Sequence, residues 1–564
     1  MLSRHARLVS SLRHALTRPR AHSRPPRCAY ASTAAAFEAP SSSVESIIFQ
    51  SPHASVNVPD GTIWEIAKTQ ASANGDRNAF ICGVTQQNVT FDELYQRAKR
   101  LAVALAEDGV RKGDAVILHS FNCVEYPMVV LALMALGAVC SPSSPMFRAP
   151  ELALQAKSAN DLKDVALEAA DMVGIQKKRV YTMGEEDAPK LKNVNELSTR
   201  EYGHFEFEPI DPDSNVLLPF SSGTTGIPKG VALSARNILT NTYQVDHVEK
   251  LGDHSLGLLP FFHIYGMMMM HLSIVQGTAK VVLPRFEPES LLKTLSTYKI
   301  RTAHIAPPLA LFLAHDPLVE KYDLSATEFV VSGGAPVGKE LENLVKSRLG
   351  MTVKQIYGMT EASPAVNYCE DAFRKPGSVG RLVPNTELRV RCTSTGVDLP
   401  ANARGELLYR GPQVMLGYLN NPDANNSVFT EDRFLCSGDI GYVDGDGFVF
   451  VVDRVKELIK YKGHQVAPAE LEDILKHHPA IVDSCCVRGQ DSDGQEVPKA
   501  YVVLKDKSNA AKITAEEIME FVADRVAPFK KVRQVEFTDA IPKSPTGKTL
   551  RRQLQEIENQ KHNA

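Results

Sequence analysis

The sequence predicts an α/β protein: a large amino-terminal domain of layered α/β subdomains plus a β subdomain, followed by a small, mobile carboxy-terminal α/β domain. Its 564 residues exceed what one hydrophobic core supports. Helix-like and strand-like apolar patterns alternate in the first half, and the alternation resumes near the end. The predicted parts are a leader at 1–37, a large domain at 41–452, a hinge at 453–456, a small domain at 457–555 and a tail at 556–564.

The first domain opens with clear periodicity. Phe91 to Asp108 is predicted to be a helix, Ala115 to Leu118 a strand and Met128 to Leu136 an apolar helix. A helix-like stretch from Ala149 then runs directly into a second one, Leu162 to Gly174, with no apolar strand between them. Val180 to Thr182 is predicted to be the next strand.

Composition excludes several function classes. The chain is 43% hydrophobic and 23% charged, with a net charge of −3, so it lacks the basic field of a nucleic-acid-binding protein. No stretch reaches the roughly 18 apolar residues of a spanning helix, which predicts a soluble protein. The nine cysteines show no CxxC spacing, which is typical of reduced thiols.

The amino terminus differs from the rest of the chain. Seven arginines precede the first acidic residue, Glu38. Leucines at 2, 8, 12 and 16 stand at near-helical spacing. This pattern is typical of a transit peptide and predicts a mitochondrial matrix location, with a plastid or a disordered basic tail as alternatives. The last residues are not a Ser-Lys-Leu peroxisomal signal.

A glycine- and hydroxyl-rich loop follows the apolar run that ends at Phe220. Glycine backbone N–H groups and hydroxyls together favour a polyphosphate cradle. A Walker A motif is excluded, since Lys229 follows Gly226 by three residues and precedes a glycine. The loop is expected to enter from a strand and leave toward a helix at Ser234 to Gln244. A flexible surface turn is the alternative.

Two later stretches carry candidate pocket residues. Leu256 to Gly266 is predicted to be a strand ending in an aromatic patch with His263, which on its own is more typical of a packed core residue. Met267 to Met270 are predicted to be core or pocket wall. Thr302 to Pro307 and Phe329 to Gly334 are predicted to be strand-and-turn units.

Two short segments present carboxylates. Thr360 and Glu361 follow a glycine and are predicted to bind Mg²⁺ that bridges phosphates, or else to cap a helix. Cys436 to Asp439 is predicted to be a turn whose carboxylate accepts hydrogen bonds from ribose hydroxyls, as acidic residues do in dinucleotide enzymes.

The small domain follows the same alternation. Its predicted helices and strands are Pro468 to His478, Ile481 to Val487, Lys499 to Leu504 and Thr514 to Val526. A loop that contains proline and glycine, near the end of the small domain, includes Lys548. This lysine is predicted to reach an anion only if the small domain closes over the large one. A solvated lysine is the alternative.

Eight of these stretches, in order, resemble the adenylate-forming acyl-activating (AMP-binding) superfamily, most closely its 4-coumarate CoA ligase-like acyl-CoA synthetases. The resemblance covers about residues 45–555, apart from a strand that this chain lacks near Ser158 to Leu162. The matching stretches are SSGTTGIPKG, FFHIYG, SGGAP, YGMTEA, GELLYRGPQVMLGYL, SGDIGYVD, DRVKELIKYKGHQVAPAELE and PKSPTGK.

The resemblance implies an ATP-dependent acid–thiol ligase that uses Mg²⁺ and coenzyme A on an aromatic or medium- to long-chain acid. It implies catalytic roles for Lys548, Lys460 and His263. The implied ATP contacts are Ser221, Ser222, Gly223, Thr224, Thr225, Gly226, Lys229, Thr360, Asp439, Arg454 and Lys548, with Glu361 binding the metal. The implied acyl and acyl-adenylate contacts are His263, Tyr265, Gly334, Ala335, Gln355, Gly358, Thr360, Lys456, Lys460 and Gln465, and coenzyme A meets Lys462 and Gly463.

Departures from the pattern leave the acid open. Ile356 stands where coumarate ligases carry glycine, Ala365 where many carry valine, and Ser437 where threonine is usual. Gly358 stands where acetate-activating relatives place a large aromatic, so it is expected to leave room for a longer or aromatic acid. The alternatives are an adenylating enzyme with another acceptor and a nucleotide-binding pseudoenzyme. The first is disfavoured by the intact YKGHQ stretch.

Overall fold

The structure is a computed structural model. It describes residues 47–146, 179–183, 191–221, 229–334, 337–454, 457–461, 464–491, 495–505, 513–543 and 549–563. Three predicted features lie outside the described residues. They are the leader, the two helix-like stretches that follow one another from Ala149, and the loop residue Lys548.

Helices and strands alternate along the chain. The helices are α1 (Ile63–Asn74), α2 (Phe91–Glu107), α3 (Tyr126–Leu136), α4 (Val194–Thr199), α5 (Ala235–Val248), α6 (Ile264–Gln276), α7 (Pro288–Thr297), α8 (Pro307–His315), α9 (Lys339–Leu349), α10 (Pro422–Val428), α11 (Pro468–Lys476), α12 (Ala515–Ala523) and α13 (Arg551–Asn563). Short 3₁₀ turns span Pro317–Lys321, Thr360–Ala362 and Pro528–Lys530.

The strands before residue 300 are β1 (Phe49–Gln50), β2 (Asn78–Cys82), β3 (Asn88–Thr90), β4 (Ala115–His119), β5 (Val139–Ser143), β6 (Tyr181–Thr182), β7 (Lys192–Asn193), β8 (Asn215–Leu217), β9 (Phe220–Ser221), β10 (Lys229–Ser234), β11 (His254–Gly257) and β12 (Ala279–Val282). The later strands are β13 (Thr302–Ile305), β14 (Phe329–Gly333), β15 (Thr352–Gly358), β16 (Ala365–Tyr368), β17 (Arg381–Leu382), β18 (Glu387–Arg391), β19 (Gly405–Arg410), β20 (Gly417–Tyr418), β21 (Leu435–Val443), β22 (Val449–Arg454), β23 (Ile459–Tyr461), β24 (His464–Val466), β25 (Ile481–Gln490), β26 (Glu496–Leu504) and β27 (Gln534–Phe537).

Three α/β sheets form the layered part of the large domain. Their strand orders are β20-β10-β8-β5-β4 with β9 beside β10, β11-β12-β2-β3, and β13-β14-β15-β16-β17. A fourth, antiparallel sheet, β1-β18-β19-β21-β22, is the predicted β subdomain. The small domain holds the hairpin β23-β24 and the sheet β25-β26-β27. The predicted fold class is therefore confirmed.

Local sequence explains where the helices begin. Thr62 with Glu65, and Thr90 with Glu93, form capping boxes in which each partner accepts from the other's backbone N–H. Ser234 and Asn237 do the same for α5. Helix α3 is apolar all round and almost wholly buried, because other elements cover all its faces. The starts of α2, α3 and α5 agree with the predicted helices to within about three residues, whereas α1 was not predicted.

Two predicted elements were wrong in type. Leu256 to Gly266 is not one strand: β11 ends at Gly257, and His263 caps helix α6. Cys436 to Asp439 lies within β21 rather than in a turn, although Gly438 has a positive φ of 72°. Helix α13 extends into the segment 556–564, where Glu558 is buried and accepts a hydrogen bond from Lys499.

The gap noted near Ser158 to Leu162 lies outside the described residues, but its surroundings are described. Among these, β4 pairs with β5 alone, so it forms an edge of its sheet. Strand β6 pairs with β7 in a separate two-stranded sheet.

The described part of the chain contains no helix long and apolar enough to cross a membrane. Its eight described cysteines are all free thiols, four of them buried.

Candidate active site

The glycine- and hydroxyl-rich loop closes a β-hairpin. Ser221 of β9 pairs with Lys229 of β10, and Phe220 pairs with Gly230. The loop therefore leaves into strand β10, and helix α5 begins only after Ser234. Loop residues Ser222, Gly223, Thr224, Thr225 and Gly226 lie outside the described residues.

A buried hydroxyl stands at the base of this loop. The side-chain oxygen of Ser221 has no hydrogen-bond partner among the described residues. A buried polar atom of this kind needs a partner, because leaving it unpaired costs about 1–3 kcal/mol. An oxygen of a ligand held by the loop would supply one.

Lys229 begins a chain of contacts to the predicted metal-binding residue. Its Nζ lies 4.9 Å from the centre of the Tyr418 ring, a cation–π contact. The Tyr418 hydroxyl donates to Glu361 Oε1 at 2.9 Å. Burial, and then the charge of Glu361, raise the pKa of Tyr418. Tyr418 therefore remains a neutral donor that orients the Glu361 carboxylate.

Thr360 and Glu361 lie in a 3₁₀ turn directly after β15. The Met415 N–H donates to the Glu361 carbonyl at 2.8 Å, and the Ser363 hydroxyl donates to the Gln413 carbonyl at 2.9 Å. The backbone of the turn is thus fixed by its neighbours, which leaves the Thr360 hydroxyl and the Glu361 carboxylate as its functional groups.

Asp439 is 6% exposed and is held from two sides. The Tyr357 hydroxyl donates to its Oδ2 at 2.5 Å, and Arg454 Nε lies 3.1 Å from its Oδ1. Asp439 and Arg454 are direct partners across β21 and β22. Burial opposes the charge of Arg454, but the surrounding groups, Asp439 first and then Glu457, together outweigh it, so the pKa of Arg454 is raised. Arg454 therefore stays charged beside Asp439.

The carboxylates of Asp439 and Glu361 are both held at the turn that follows β15. Tyr357, before Gly358, contacts Asp439, and Glu361, after Gly358, contacts Tyr418. These two contacts join three sheets at the end of β15. Ligands of α/β proteins bind at the carboxyl ends of parallel strands.

His263 and Tyr265 lie at the start of α6, not at the end of a strand. His263 is exposed, and its Nδ1 accepts from the Tyr265 N–H at 3.3 Å. Tyr265 is buried, and its hydroxyl shares a hydrogen bond of 2.9 Å with His304 Nδ1. Burial raises the pKa of Tyr265, and burial also lowers the pKa of His304. Both side chains are therefore neutral.

Gln355 is 3% exposed, and its hydrogen bonds stay within the protein. Its Nε2 donates to the Val337 carbonyl at 3.1 Å and to Glu342 Oε1 at 2.8 Å, while its Oε1 accepts from the Val337 N–H. It therefore ties strand β15 to the segment that follows Gly334. Gly334 is exposed, with a φ of +91°.

Crowding by the neighbouring backbone, and not the size of a pocket, explains why residue 358 is a glycine. A Cβ built on it would lie 2.1 Å from the Pro364 carbonyl oxygen. The close approach arises where β15 and β16 shift register, between Tyr357 and Gly358. The expectation that Gly358 leaves room for a larger acid therefore gains no support, because backbone rather than empty space lies beside this glycine.

The remaining predicted residues are not placed relative to this site. Lys548, Lys456, Lys462, Gly463 and Ala335 lie outside the described residues. The backbones of Lys460 and Gln465 are described, and they pair directly across the hairpin β23-β24. Their predicted roles stay predictions.

Sequence reasoning did not select three residues of this site. Tyr357 and Tyr418 stand inside matching stretches, where a tyrosine beside a glycine was the available signal. His304 had a weaker signal, a histidine within an apolar strand. In each case the partner is distant in sequence, so the contact was not visible from spacing.

Relatives of known name align with nearly all of the chain. The 4-coumarate–CoA ligase of Pinus taeda is 38% identical over 496 residues, which covers 85% of this chain and 91% of the relative. The 4-coumarate–CoA ligase 2 of Oryza sativa subsp. japonica is 38% identical over 554 residues, covering 92% and 96%.

A solved structure agrees with the fold. The O-succinylbenzoate coenzyme A synthetase of Bacillus subtilis, in complex with ATP and magnesium ion, superposes with a TM-score of 0.75 at 27% identity, covering 88% of this chain and 99% of that one. Residues 67–419 match the AMP-binding enzyme family, and residues 470–548 match the AMP-binding enzyme C-terminal domain. The chain belongs to the family of AMP-binding enzymes.

Proposed function

We propose that the protein is an ATP-dependent carboxylic acid–coenzyme A ligase. It forms an acyl-adenylate and pyrophosphate, and then acyl-CoA and AMP. The proposal rests on one observation: two tyrosine hydroxyls at the turn after β15 connect two sets of predicted ATP-binding residues. The set predicted to contact the phosphates and metal is Ser221, Lys229 and Glu361, and the set predicted to contact the ribose is Asp439 and Arg454.

In the first step a carboxylate oxygen of the acid attacks the α-phosphorus of ATP. The bond from the α-phosphorus to the bridging oxygen breaks, and pyrophosphate leaves with the electron pair. Both reactants are anions, so positioned cations and donors lower the barrier most. Lys229 and the Ser221 hydroxyl attract the β- and γ-phosphates, and Asp439 accepts from the ribose hydroxyls.

Glu361 fits a magnesium ligand. Mg²⁺ is held in proteins by one or two carboxylates together with substrate phosphates and water, and the described residues contain no cluster of three or more metal-binding side chains. A single carboxylate aimed by Tyr418 is the expected arrangement for an ion that arrives with ATP. When bound, Mg²⁺ neutralises charge on the phosphate oxygens.

In the second step the sulfur of coenzyme A attacks the acyl carbonyl carbon, the bond from that carbon to the phosphate oxygen breaks, and AMP leaves with the electron pair while the thiol proton passes to water. His263 Nδ1 accepts a backbone N–H, which orients its ring at the start of α6. We propose that His263 contacts the acyl-adenylate in this half-reaction. We propose that Lys460, Lys462, Gly463 and Gln465 serve this half-reaction.

Acid-dependent exchange of pyrophosphate into ATP tests the proposal. The full chain is expected to show exchange with one class of acid, and release of AMP that requires coenzyme A. Lys548→Ala is expected to lower the exchange rate roughly 100- to 1,000-fold, as removal of one aimed donor does in other enzymes.

Lys543 provides a matched control in the same terminal loop. Its Nζ forms an ion pair with Asp483 at 2.5 Å, so Lys543→Ala is expected to leave exchange within about threefold of the unaltered protein. Exchange that survives Lys548→Ala would refute the role of Lys548 alone, whereas an absence of exchange by the unaltered protein with benzoate, cinnamate, 4-coumarate and C4 to C14 acids would count against the ligase.

We also propose that residues 1–37 direct the protein to the mitochondrial matrix, on the strength of their arginine-rich, acid-free composition. Attached to a fluorescent protein, these residues are expected to carry it into mitochondria, and a version with the seven arginines changed to glutamine is not. Diffuse or plastid fluorescence would refute the matrix assignment.

A further inference from the structure

Both ends of the loop that contains Lys548 are fixed by described residues. Lys543 and Thr549, which flank the loop, pair in a single β-bridge. Lys543 also forms its ion pair with Asp483 of β25. Helix α13 begins at Arg551, three residues after Lys548. Three residues of chain span at most about 11 Å, so the place of Arg551 limits where Lys548 can lie.

The side chain of Arg551 is 12% exposed and bonds three separate elements. Its Nε donates to Glu457 Oε2 at 2.7 Å, directly after the predicted hinge. Its Nη2 donates to Glu472 Oε2 of α11 at 3.2 Å, and its Nη1 donates to Glu472 Oε1. The same Nη1 donates to the Cys486 carbonyl of β25 at 2.6 Å. A bidentate pair of this kind fixes direction as well as distance.

The guanidinium keeps its charge in this setting. Burial opposes the charge, but the surrounding groups, Glu472 first, together outweigh it and raise the pKa of Arg551. Glu472 is itself held in place, because its Oε1 also accepts from the Cys486 N–H at 2.6 Å. Arg551 is therefore anchored to a carboxylate that cannot turn away without breaking a second bond.

The same helix reaches the ribose side of the site. Asp453 precedes Arg454 in β22 and is 6% exposed. Its Oδ2 accepts from the Ala469 N–H, in the first turn of α11, at 3.0 Å. Glu472 lies about one helical turn further along α11. Helix α11 thus connects Asp453 with Arg551.

We propose that Arg551 is a positioning residue for Lys548 in adenylate formation. The inference rests on the proposed function, in which Lys548 serves the first half-reaction. Arg551 fixes the end of the loop against α11 and, through α11, against Asp453, the neighbour of the ribose-side Arg454. A misplacement of about 1 Å costs on the order of 100-fold in rate, so a looser anchor slows this half-reaction.

The test measures the two half-reactions separately on the full chain, with an acid that supports exchange. Pyrophosphate exchange reports adenylate formation. Coenzyme A-dependent release of AMP from the chemically prepared acyl-adenylate reports thioester formation. Arg551→Gln is expected to lower exchange about 10- to 100-fold and to leave this AMP release within about threefold. Arg551→Lys, which keeps the charge but loses the fork of donors, is expected to lower exchange by less.

A double variant shows whether Arg551 acts through Lys548. In the Lys548→Ala background, Arg551→Gln is expected to lower exchange no further, because residues that act as a unit are not additive. Glu457→Gln weakens one bond of Arg551 and is the milder variant to use if Arg551→Gln does not fold. It is expected to lower exchange selectively, by less than Arg551→Gln.

Glu558 is the matched control in the same helix. It is 1% exposed, lies toward the other end of α13 and accepts from Lys499 at 2.8 Å. Glu558→Gln is expected to lower the melting temperature and to leave both half-reactions within about threefold.

Three results would overturn the positioning role and leave the ligase standing. They are equal losses in both half-reactions, an unchanged exchange rate in folded Arg551→Gln, and a loss that multiplies with that of Lys548→Ala. If Lys548→Ala alone leaves exchange intact, the inference falls together with the role of Lys548. Absence of exchange with every acid in the unaltered protein refutes the ligase, and the inference with it.

Discussion

Changing Asp439 to asparagine is expected to lower kcat/KM for ATP roughly 100- to 10,000-fold. The carboxylate accepts from Tyr357 and pairs with Arg454 in a setting that is almost closed to water. Two ribose hydroxyls bonded to a charged acceptor are worth about 1.5–3 kcal/mol each, and each 1.36 kcal/mol is a tenfold change in rate. Pyrophosphate exchange at varied ATP, with direct ATP binding, measures the loss.

Asp398 is the control for this substitution. It lies beside the same antiparallel sheet, is 13% exposed at the side chain, and faces Arg389 at 3.7 Å. Asp398→Asn is expected to alter stability modestly and leave kcat/KM for ATP within about threefold. If Asp439→Asn folds with an unchanged melting temperature and keeps its kcat/KM for ATP, Asp439 does not hold the nucleotide.

Sequence patterns predicted the elements that carry the site better than they predicted its contacts. Phe91 to Asp108 was found as a helix because its apolar spacing specifies a buried face. Met128 to Leu136 was found as a helix because its continuous apolar sequence suits a helix that is buried on all sides. Leu256 to Gly266 was misread because a run of apolar and aromatic residues does not show where a strand ends and a helix begins. The N-cap at His263 was the missing signal.

The contacts of the site depend on long-range geometry. Tyr357 meets Asp439 across 82 positions of sequence, and Tyr418 meets Glu361 across 57. No local periodicity encodes such pairs. Asp439 was selected from its neighbours Ser437 and Gly438, but its two partners became visible only when the sheets were placed together.

The structure does not support the reason for which Gly358 was selected. The family resemblance interpreted this glycine as empty pocket space. In the structure, the carbonyl of Pro364 occupies the direction a side chain would take, where β15 and β16 shift register.

Lys354→Met is expected to destabilise the protein by about 3–5 kcal/mol. Lys354 is fully buried on the same face of β15 as Ile356, and its Nζ pairs with Glu249 at 2.5 Å and with Asp371 at 2.7 Å. Removing the lysine leaves the buried Glu249 carboxylate without its cation. Because a chain of this size does not unfold in one step, the first unfolding transition in urea is the quantity to measure.

The double variant Lys354→Met with Glu249→Gln separates an unpaired charge from a lost contact. Glu249 also accepts from the Tyr368 hydroxyl at 2.5 Å, and glutamine preserves that bond. The double variant is expected to regain most of the stability lost by Lys354→Met, since replacing both members of a buried pair is often nearly neutral. If the two changes instead add, the loss comes from packing of Lys354 on the rings of Phe329 and Tyr368.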